Sequence, residues 1–140
     1  MQTFLPFSNF ELSAISLDSR RLGKQRVEAY QILRALAGQT KGWVNHPATK
    51  MWRGYEPALR NYLRAMIIEW VRRGYKNTMH VPDYEANAVL PPWLGDRELH
   101  DSHRSNLKRK DPLYYAHFHV PDDLPYVWPS TTSEETSHAA

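Results

Sequence analysis

The sequence predicts an all-α fold: a compact single domain of three main helices joined by long irregular connections. Three segments place apolar residues at the three- and four-residue spacing of an amphipathic helix, and each is bounded by residues that commonly cap helices. Clusters of glycine and proline separate the segments. No segment makes a convincing β-strand. A chain of 140 residues is long enough to form one independent hydrophobic core.

The first predicted helix runs from Asp18 to Ala37. Asp18 or Ser19 suits its N-cap, and Gly38 suits the position just beyond its end. Its apolar stripe is predicted to contain Leu22, Ala29, Tyr30, Leu33, Leu36 and Ala37. Residues 38–47 then form a loop, because they contain two glycines and a proline.

A short helical turn is expected over residues 48–53, followed by the second main helix. This helix runs from Pro57, which suits the first helical position, to Arg73, where Gly74 stops it. Its wide apolar face contains Leu59, Tyr62, Leu63, Met66, Ile67, Trp70 and Val71. The three prolines within residues 77–95 predict an irregular connection.

The third predicted helix runs from Asp96 to Lys110 and ends at Asp111-Pro112. Residues 114–129 are rich in proline and aromatic side chains, which predicts an extended chain that wraps the surface. Residues 130–140 form a small polar tail that is expected to be disordered. The predicted folded domain is therefore residues 1–129.

Composition excludes several classes of protein. Without cysteine the chain has no disulfide framework and no thiolate metal site, which is compatible with a reducing cytoplasm. The apolar runs are too short to cross a bilayer. The first residues lack the basic and apolar regions of a signal peptide.

The charge of the chain is strongly segregated although its net value is only +3. Residues 20–76 hold 13 Lys/Arg and three acids, a net charge of +10, whereas the rest of the chain carries −7. A concentrated basic region indicates a polyanionic partner such as nucleic acid. A solvated basic surface without a partner is the alternative.

One acid of the basic region, Glu28, lies at the border of the apolar stripe on a helical wheel, beside Arg21, Lys24, Gln25 and Ile32. Arg26 falls on the stripe itself, where a charge needs a partner or a cleft. Cations for phosphates and one carboxylate for chemistry would suit a nucleic-acid enzyme. The alternatives are a surface pair of Glu28 with Lys24 and an Arg26 side chain that extends to solvent.

The third predicted helix ends in basic residues that are followed by two tyrosines. Arg104, Lys108, Arg109 and Lys110 precede Tyr114 and Tyr115. Such a pattern suits phosphate contacts combined with base stacking. Cations at the end of a helix are also favoured by its dipole, so the pattern alone is weak.

Seven histidines raise the question of a metal site. His100 and His103 are three residues apart, and His117 and His119 are two apart. The chain has no HExxH motif and no cysteine partner for them, so no metal is predicted. It also lacks a P-loop, a GxGxxG motif and a GxSxG motif.

Several short sequence segments, spread along the chain, together resemble the motifs of a known family. They are Leu17-Asp18, Arg26-Val27-Glu28-Ala29, residues 38–47 (GQTKGWVNHP), Arg72-Arg73-Gly74-Tyr75, residues 105–115 (SNLKRKDPLYY) and residues 120–129 (VPDDLPYVWP). The pattern resembles the pyrimidine-dimer DNA glycosylase family, whose prototype is the phage endonuclease V, and it is most similar to a bacterial branch of that family. The resemblance covers about 100 residues.

The resemblance implies a fold, an activity and a set of residues. The family is all-α, cuts the glycosidic bond of a cyclobutane pyrimidine dimer and then cuts the DNA strand. Its nucleophile is the N-terminal α-amine, and a glutamate near the start of the first main helix supports the sugar chemistry. The implied catalytic residues are Met1 and Glu28. The implied DNA contacts are Arg21, Lys24, Gln25, Arg26, His46, Arg104, Lys108, Arg109, Tyr114 and Tyr115.

The resemblance also implies double-stranded DNA as the partner, with no cofactor, metal, membrane or obligate protein partner, and a cytoplasmic, nucleoid-associated location. One feature departs from the prototype, which exposes a small residue after losing its initiator methionine. Gln2 is large and normally blocks that removal, so the free amine is expected on Met1. An α-amine has a pKa near 8, and a useful fraction of it is therefore unprotonated at neutral pH.

The expected function is thus a DNA glycosylase with AP-lyase activity that acts on pyrimidine dimers or modified pyrimidines. A monofunctional glycosylase, in which Glu28 activates water, is an alternative. A non-catalytic DNA-binding protein on the same fold is another, and a hydrolase of a different nucleotide-like substrate is a more remote one.

Overall fold

Five helices make up the regular structure of the chain in a computed structural model that describes residues 1–129. They are α1 (Phe10–Ser16), α2 (Ser19–Leu36), α3 (Pro47–Lys50), α4 (Glu56–Arg72) and α5 (Arg97–Lys110). No strand occurs in that part of the chain. The all-α prediction is confirmed, and α2, α4 and α5 are the three predicted main helices.

The predicted boundaries of the three main helices hold to within one residue because the capping residues act as expected, whereas the helical turn predicted over residues 48–53 is the shorter α3. Asp18 caps α2 by accepting a hydrogen bond from the Arg21 backbone N–H, and Asp96 caps α5 in the same way through Glu98. Gly38 and Gly74 follow α2 and α4 with φ of 75° and 94°, a left-handed conformation that favours glycine.

Helix α1 was not predicted from the sequence. Its seven residues are too few for a clear helical period, and its N-cap Asn9 became recognisable only with the structure. Phe10 and Ala14 lie on its buried side and pack toward α4.

The predicted apolar stripe of α2 is wrong in part. Tyr30 is 42% exposed and Ala37 is also exposed. The buried positions are Leu22, Gln25, Ala29, Ile32 and Ala35, which corresponds to a rotation of the stripe about the helix axis. The rotation brings Gln25 into the core and places Glu28 at the core boundary.

Alongside α2 lies the N-terminal segment, residues 1–6, which runs through the protein interior without regular secondary structure. Thr3 and Leu5 are fully buried, and Phe4 is 6% exposed. The segment packs into the same core as α2 and α4, where Trp52 and Tyr62 are also fully buried. A chain end that is buried in this way can place its terminal amine inside a site.

The C-terminal part was predicted to wrap the surface as extended chain, and this is only partly right. Residues 112–117 form turns, and Tyr115 and Phe118 are buried in the core. Residues 124–129 are irregular and lie along α5. The predicted tail, residues 130–140, lies outside the described residues. Among residues 1–129, none of the helices is long and apolar enough to span a membrane.

Candidate active site at the N-terminal amine

The N-terminal amine lies beside Glu28. The Met1 nitrogen is 3.9 Å from Glu28 Oε1, and the backbone N–H of Gln2 donates to the same oxygen at 2.8 Å. One helical turn earlier, Gln25 Oε1 accepts a hydrogen bond from the Phe4 N–H at 2.7 Å. Two side chains of α2 therefore hold the backbone of the N-terminal segment and bring its amine to the carboxylate.

Burial of the first two residues anchors the amine. The side chain of Met1 is only 2% exposed and packs against the hydrophobic core. Gln2 is 7% exposed, and the Glu28 side chain is 16% exposed. The amine and the carboxylate are thus fixed by the protein interior yet border open space.

A cleft of about 360 Å³ opens next to the amine and is called the amine cleft here. Met1, Gln2 and Glu28 line it together with the aromatic rings of Tyr126 and Trp128. Its cations are Arg20, Arg21, Lys24 and Lys110. One carboxylate and one amine among four cationic side chains suit a substrate that carries phosphates.

A second cleft of about 580 Å³, the tryptophan cleft, shares Met1, Arg20, Lys24 and Glu28 with the amine cleft. Its other walls are Gly23, Arg26, Val27, Gln31, Trp43 and Trp70. The amine and its carboxylate therefore lie where two adjoining clefts meet.

Arg26 and Gly23 shape the tryptophan cleft through Trp70. The Arg26 guanidinium lies 4.8 Å from the centre of the Trp70 ring and donates to Asn77 Oδ1 at 2.6 Å. Burial lowers the pKa of Arg26 below its usual value. A Cβ atom at Gly23 would lie 2.8 Å from Trp70 Cζ3, so only glycine lets the ring pack this closely against α2.

His46 borders the site between two tryptophans. Its ring makes edge contacts with Trp43 and Trp128 at centroid distances of 5.3 and 5.9 Å. Its Nδ1 accepts a hydrogen bond from the Ala48 N–H and so caps α3. Burial lowers the pKa of His46, the charge of the N-terminal amine lowers it further, and Glu28 opposes the shift. His46 is therefore neutral near pH 7.

Met1 and most of the predicted site residues on α2 meet at these clefts. Met1, Glu28, Arg21, Lys24 and Gln25 line the amine cleft, and Arg26 lines the tryptophan cleft. Gln25 is 1% exposed, and its Oε1 also lies 2.8 Å from the Tyr62 hydroxyl. The geometry gives Gln25 a supporting position under the cleft, and its predicted contact with DNA stays a prediction.

The three predicted cations of α5 lie outside both clefts. Arg104 donates to the Pro6 carbonyl, and Lys108 donates to the Phe118 and Val120 carbonyls. Arg109 donates to the carbonyls of Asp122 and Leu124. These cations bind backbone of their own chain, so any contact they make with DNA stays a prediction.

The two predicted tyrosines also have partners within the protein. Tyr115 is fully buried, and its hydroxyl donates to the Asp18 side chain. The hydroxyl of Tyr114, which is 44% exposed, donates to the Leu17 carbonyl at 3.3 Å. Both rings hold the C-terminal part against the start of α2, and neither lines a cleft.

Sequence reasoning missed several cleft residues, namely Gln2, Arg20, Trp43, Trp70, Lys110, Tyr126 and Trp128. Arg20 and Lys110 belonged to recognised basic runs, and Trp70 had been assigned to the core. Tyr126 and Trp128 had only marked a family branch. They reach the site because Leu124 and Val127 donate backbone hydrogen bonds to Ser105 and Ser102 of α5, an arrangement that leaves no local signal in the sequence.

Comparison with known proteins agrees with this geometry. A family model described as pyrimidine dimer DNA glycosylase matches residues 1–83, which is more than half of the chain and contains both Met1 and Glu28. The chain therefore belongs to the pyrimidine dimer DNA glycosylase family, an enzyme class whose substrate is DNA. No curated protein and no solved structure matched the chain.

Proposed function

We propose that this protein excises pyrimidine dimers or modified pyrimidines from duplex DNA with the Met1 α-amine as nucleophile and Glu28 as the supporting carboxylate, and then cuts the strand as an AP lyase. The observation that carries the proposal is the 3.9 Å distance between the amine and Glu28 within a cationic cleft. An amine and a carboxylate suffice for this chemistry.

The chemistry starts when the unprotonated amine attacks C1′ of the damaged nucleotide. The new N–C1′ bond forms as the glycosidic bond breaks, and the base leaves with the bonding electrons. Loss of the amine proton and cleavage of the C1′–O4′ bond, with O4′ taking up a proton, open the sugar ring and give a Schiff base. Removal of a proton from C2′ then expels the 3′ phosphate. Glu28, next to the amine, accepts the amine proton and stabilises the cationic intermediate.

Two features favour Met1 as the residue that carries the amine. Gln2 is large enough to prevent removal of Met1, and the Met1 side chain fills a buried position that its removal would leave empty. Intact mass of the purified protein would detect the methionine, and peptide mapping of a trapped adduct would locate the modified nitrogen.

The cations and aromatic rings of the clefts suit the remaining parts of a DNA substrate. Arg20, Arg21, Lys24 and Lys110 would bind phosphates, which makes affinity dependent on salt. The exposed Trp43 and the Tyr126 and Trp128 rings offer surfaces on which a displaced base could stack.

The test is sodium borohydride trapping on ultraviolet-irradiated duplex DNA. Wild type is expected to give a covalent adduct at Met1 and strand cleavage, and Glu28→Gln to lose about 100-fold or more of both, the scale of a removed acid–base group. Glu11→Gln, an exposed acid on α1, is the matched control and should retain activity.

Each alternative gives a different outcome in the same assay. Cleavage of the glycosidic bond that depends on Glu28, without a trapped adduct, would replace the amine mechanism by Glu28-activated water. Salt-dependent binding that Glu28→Gln leaves unchanged, with no product from any damaged duplex, would leave a non-catalytic DNA-binding protein.

A further inference from the structure

Two histidines of α5 hold the backbone of Leu5 from both sides. The Leu5 N–H donates to His103 Nδ1 at 2.9 Å, and His100 Nδ1 donates to the Leu5 carbonyl at 2.8 Å. Leu5 and His103 are fully buried, and His100 is 4% exposed. The pair that resembled a metal motif in the sequence therefore uses both Nδ1 atoms on the N-terminal segment.

The contacts of each ring define its protonation. His100 Nε2 accepts a hydrogen bond from the Gly95 N–H at 2.9 Å, so its proton is on Nδ1. His103 accepts through Nδ1, so its proton is on Nε2, a buried atom without a partner among the described residues. Burial lowers the pKa of both histidines, that of His103 to about 3. Both imidazole rings are therefore neutral near pH 7.

Other side chains also bind the backbone of the segment: the Tyr62 hydroxyl donates to the Phe4 carbonyl at 2.8 Å, and Arg104 donates to the Pro6 carbonyl. Trp52 Nε1 donates to the Thr3 hydroxyl at 3.0 Å, and the Phe4 and Gln2 N–H groups bond to α2. No neighbouring strand pairs with the segment in residues 1–129. Its register therefore depends on these side chains. A slip of the chain by one residue would move the amine by up to about 3.8 Å and would exchange the buried positions of neighbouring side chains.

We propose that His100 and His103 are positioning residues for the glycosylase reaction, because they hold Leu5 at both its N–H and its carbonyl, contribute in this way to the register of residues 1–6 and so help to keep the Met1 amine beside Glu28. The inference rests on the proposed function. Neither histidine lines a cleft, so they act through the segment and not on the substrate. Both also lie beyond residues 1–83, so a helix outside the matched region supports the chemistry within it.

The test compares two replacements of His103. His103→Leu fills a similar volume without an acceptor, whereas the Oδ1 of His103→Asn can occupy the position of Nδ1 and accept from Leu5. Under single-turnover conditions with saturating enzyme, the trapping rate should fall about 100-fold in the leucine variant, the cost of a misplacement on the scale of 1 Å. The asparagine variant should recover most of that loss.

Two further readouts separate positioning from general damage. The Kd for dimer-containing DNA should stay within about twofold, because the phosphate-binding cations are untouched. Hydrogen exchange at the Leu5 amide should accelerate in His103→Leu and not in His103→Asn. Leu107→Ala, a buried change on α5 that removes no hydrogen bond to residues 1–6, serves as the stability control, with all assays run where each variant is folded.

A trapping rate in His103→Leu equal to that of wild type would overturn the inference. An equal loss of trapping rate in Leu107→Ala, or a failure of His103→Asn to restore the rate, would overturn it as well. These results leave the proposed function intact, since wild type still traps. A wild-type protein that never traps would overturn the proposed function itself, and the positioning role with it.

Discussion

Mild acid should destabilise this protein through His103. The ring is fully buried, its Nδ1 receives the Leu5 amide, and the rings of Phe4 and Tyr126 pack against it. Burial lowers its pKa from 6.5 to about 3, with smaller contributions from the charges of His100 and Arg104. Protonation would add a buried charge and remove the acceptor for Leu5.

The sign follows from the number of protons that each state binds. Between pH 6.5 and about 3 the unfolded chain binds a proton at His103 and the folded chain does not, so the free energy of unfolding falls as the pH falls. The slope approaches about 1.4 kcal/mol per pH unit. Integrated from pH 7 to pH 5, this gives a loss of about 2 kcal/mol from His103 alone, a large share of a typical 5–15 kcal/mol.

Urea unfolding at pH 7 and pH 5 measures this loss. His103→Asn keeps an acceptor for Leu5 and removes the titrating ring, so its loss between the two pH values should be about 2 kcal/mol smaller than that of wild type. His119→Asn replaces an exposed histidine and should behave as wild type. Equal pH dependence of the free energy of unfolding in wild type and His103→Asn would refute the reasoning.

The lowered pKa values of Asp18 and Glu69 reduce stability only in stronger acid, because the unfolded carboxylates take up protons near their usual values of 3.8 and 4.5.

Two further predictions concern the clefts. Gly23→Ala should destabilise the protein by about 1–3 kcal/mol and change its near-ultraviolet circular dichroism, because the new methyl group would lie 2.8 Å from the Trp70 ring. A variant as stable as wild type, helped by the better helix propensity of alanine, would show that the ring moves freely. Lys24→Gln should weaken DNA binding and reduce the slope of log K against log salt by about one, and Lys76→Gln, outside both clefts, should not. An unchanged slope in Lys24→Gln would place the phosphates elsewhere.

The helices were predictable because their signals are local. Asp18, Asp96 and the glycines after α2 and α4 act within a few residues of where they stand, so the boundaries could be read directly. Helix α1 was not predicted because seven residues are too few to show a helical periodicity. The charge pattern that singled out Glu28 was also local, since it depended on neighbouring cations along one helix.

The details of the site depend on contacts between distant parts of the chain. Gln25 was expected to contact DNA, yet it is buried because a backbone 21 residues away needs its oxygen. His103 is 98 residues from Leu5, and Trp128 contacts His46 from a similarly distant part of the chain. Neither periodicity nor capping carries such information. A polar residue that interrupts an apolar stripe is the one sequence signal that could have indicated Gln25 as a partner for buried backbone.

Gln2 appeared in the sequence as an obstacle to the amine mechanism, and its geometry suggests a different role. Its backbone amide forms the close hydrogen bond with Glu28 at 2.8 Å, whereas the Met1 nitrogen lies 3.9 Å away, beyond hydrogen-bond length. The amide therefore orients the carboxylate, and the amine stays within ion-pair distance without being tied to it. A nucleophile held in this way can turn its lone pair toward a sugar carbon while Glu28 remains close enough to take its proton. Retention of Met1 would thus separate the group that positions Glu28 from the group that attacks.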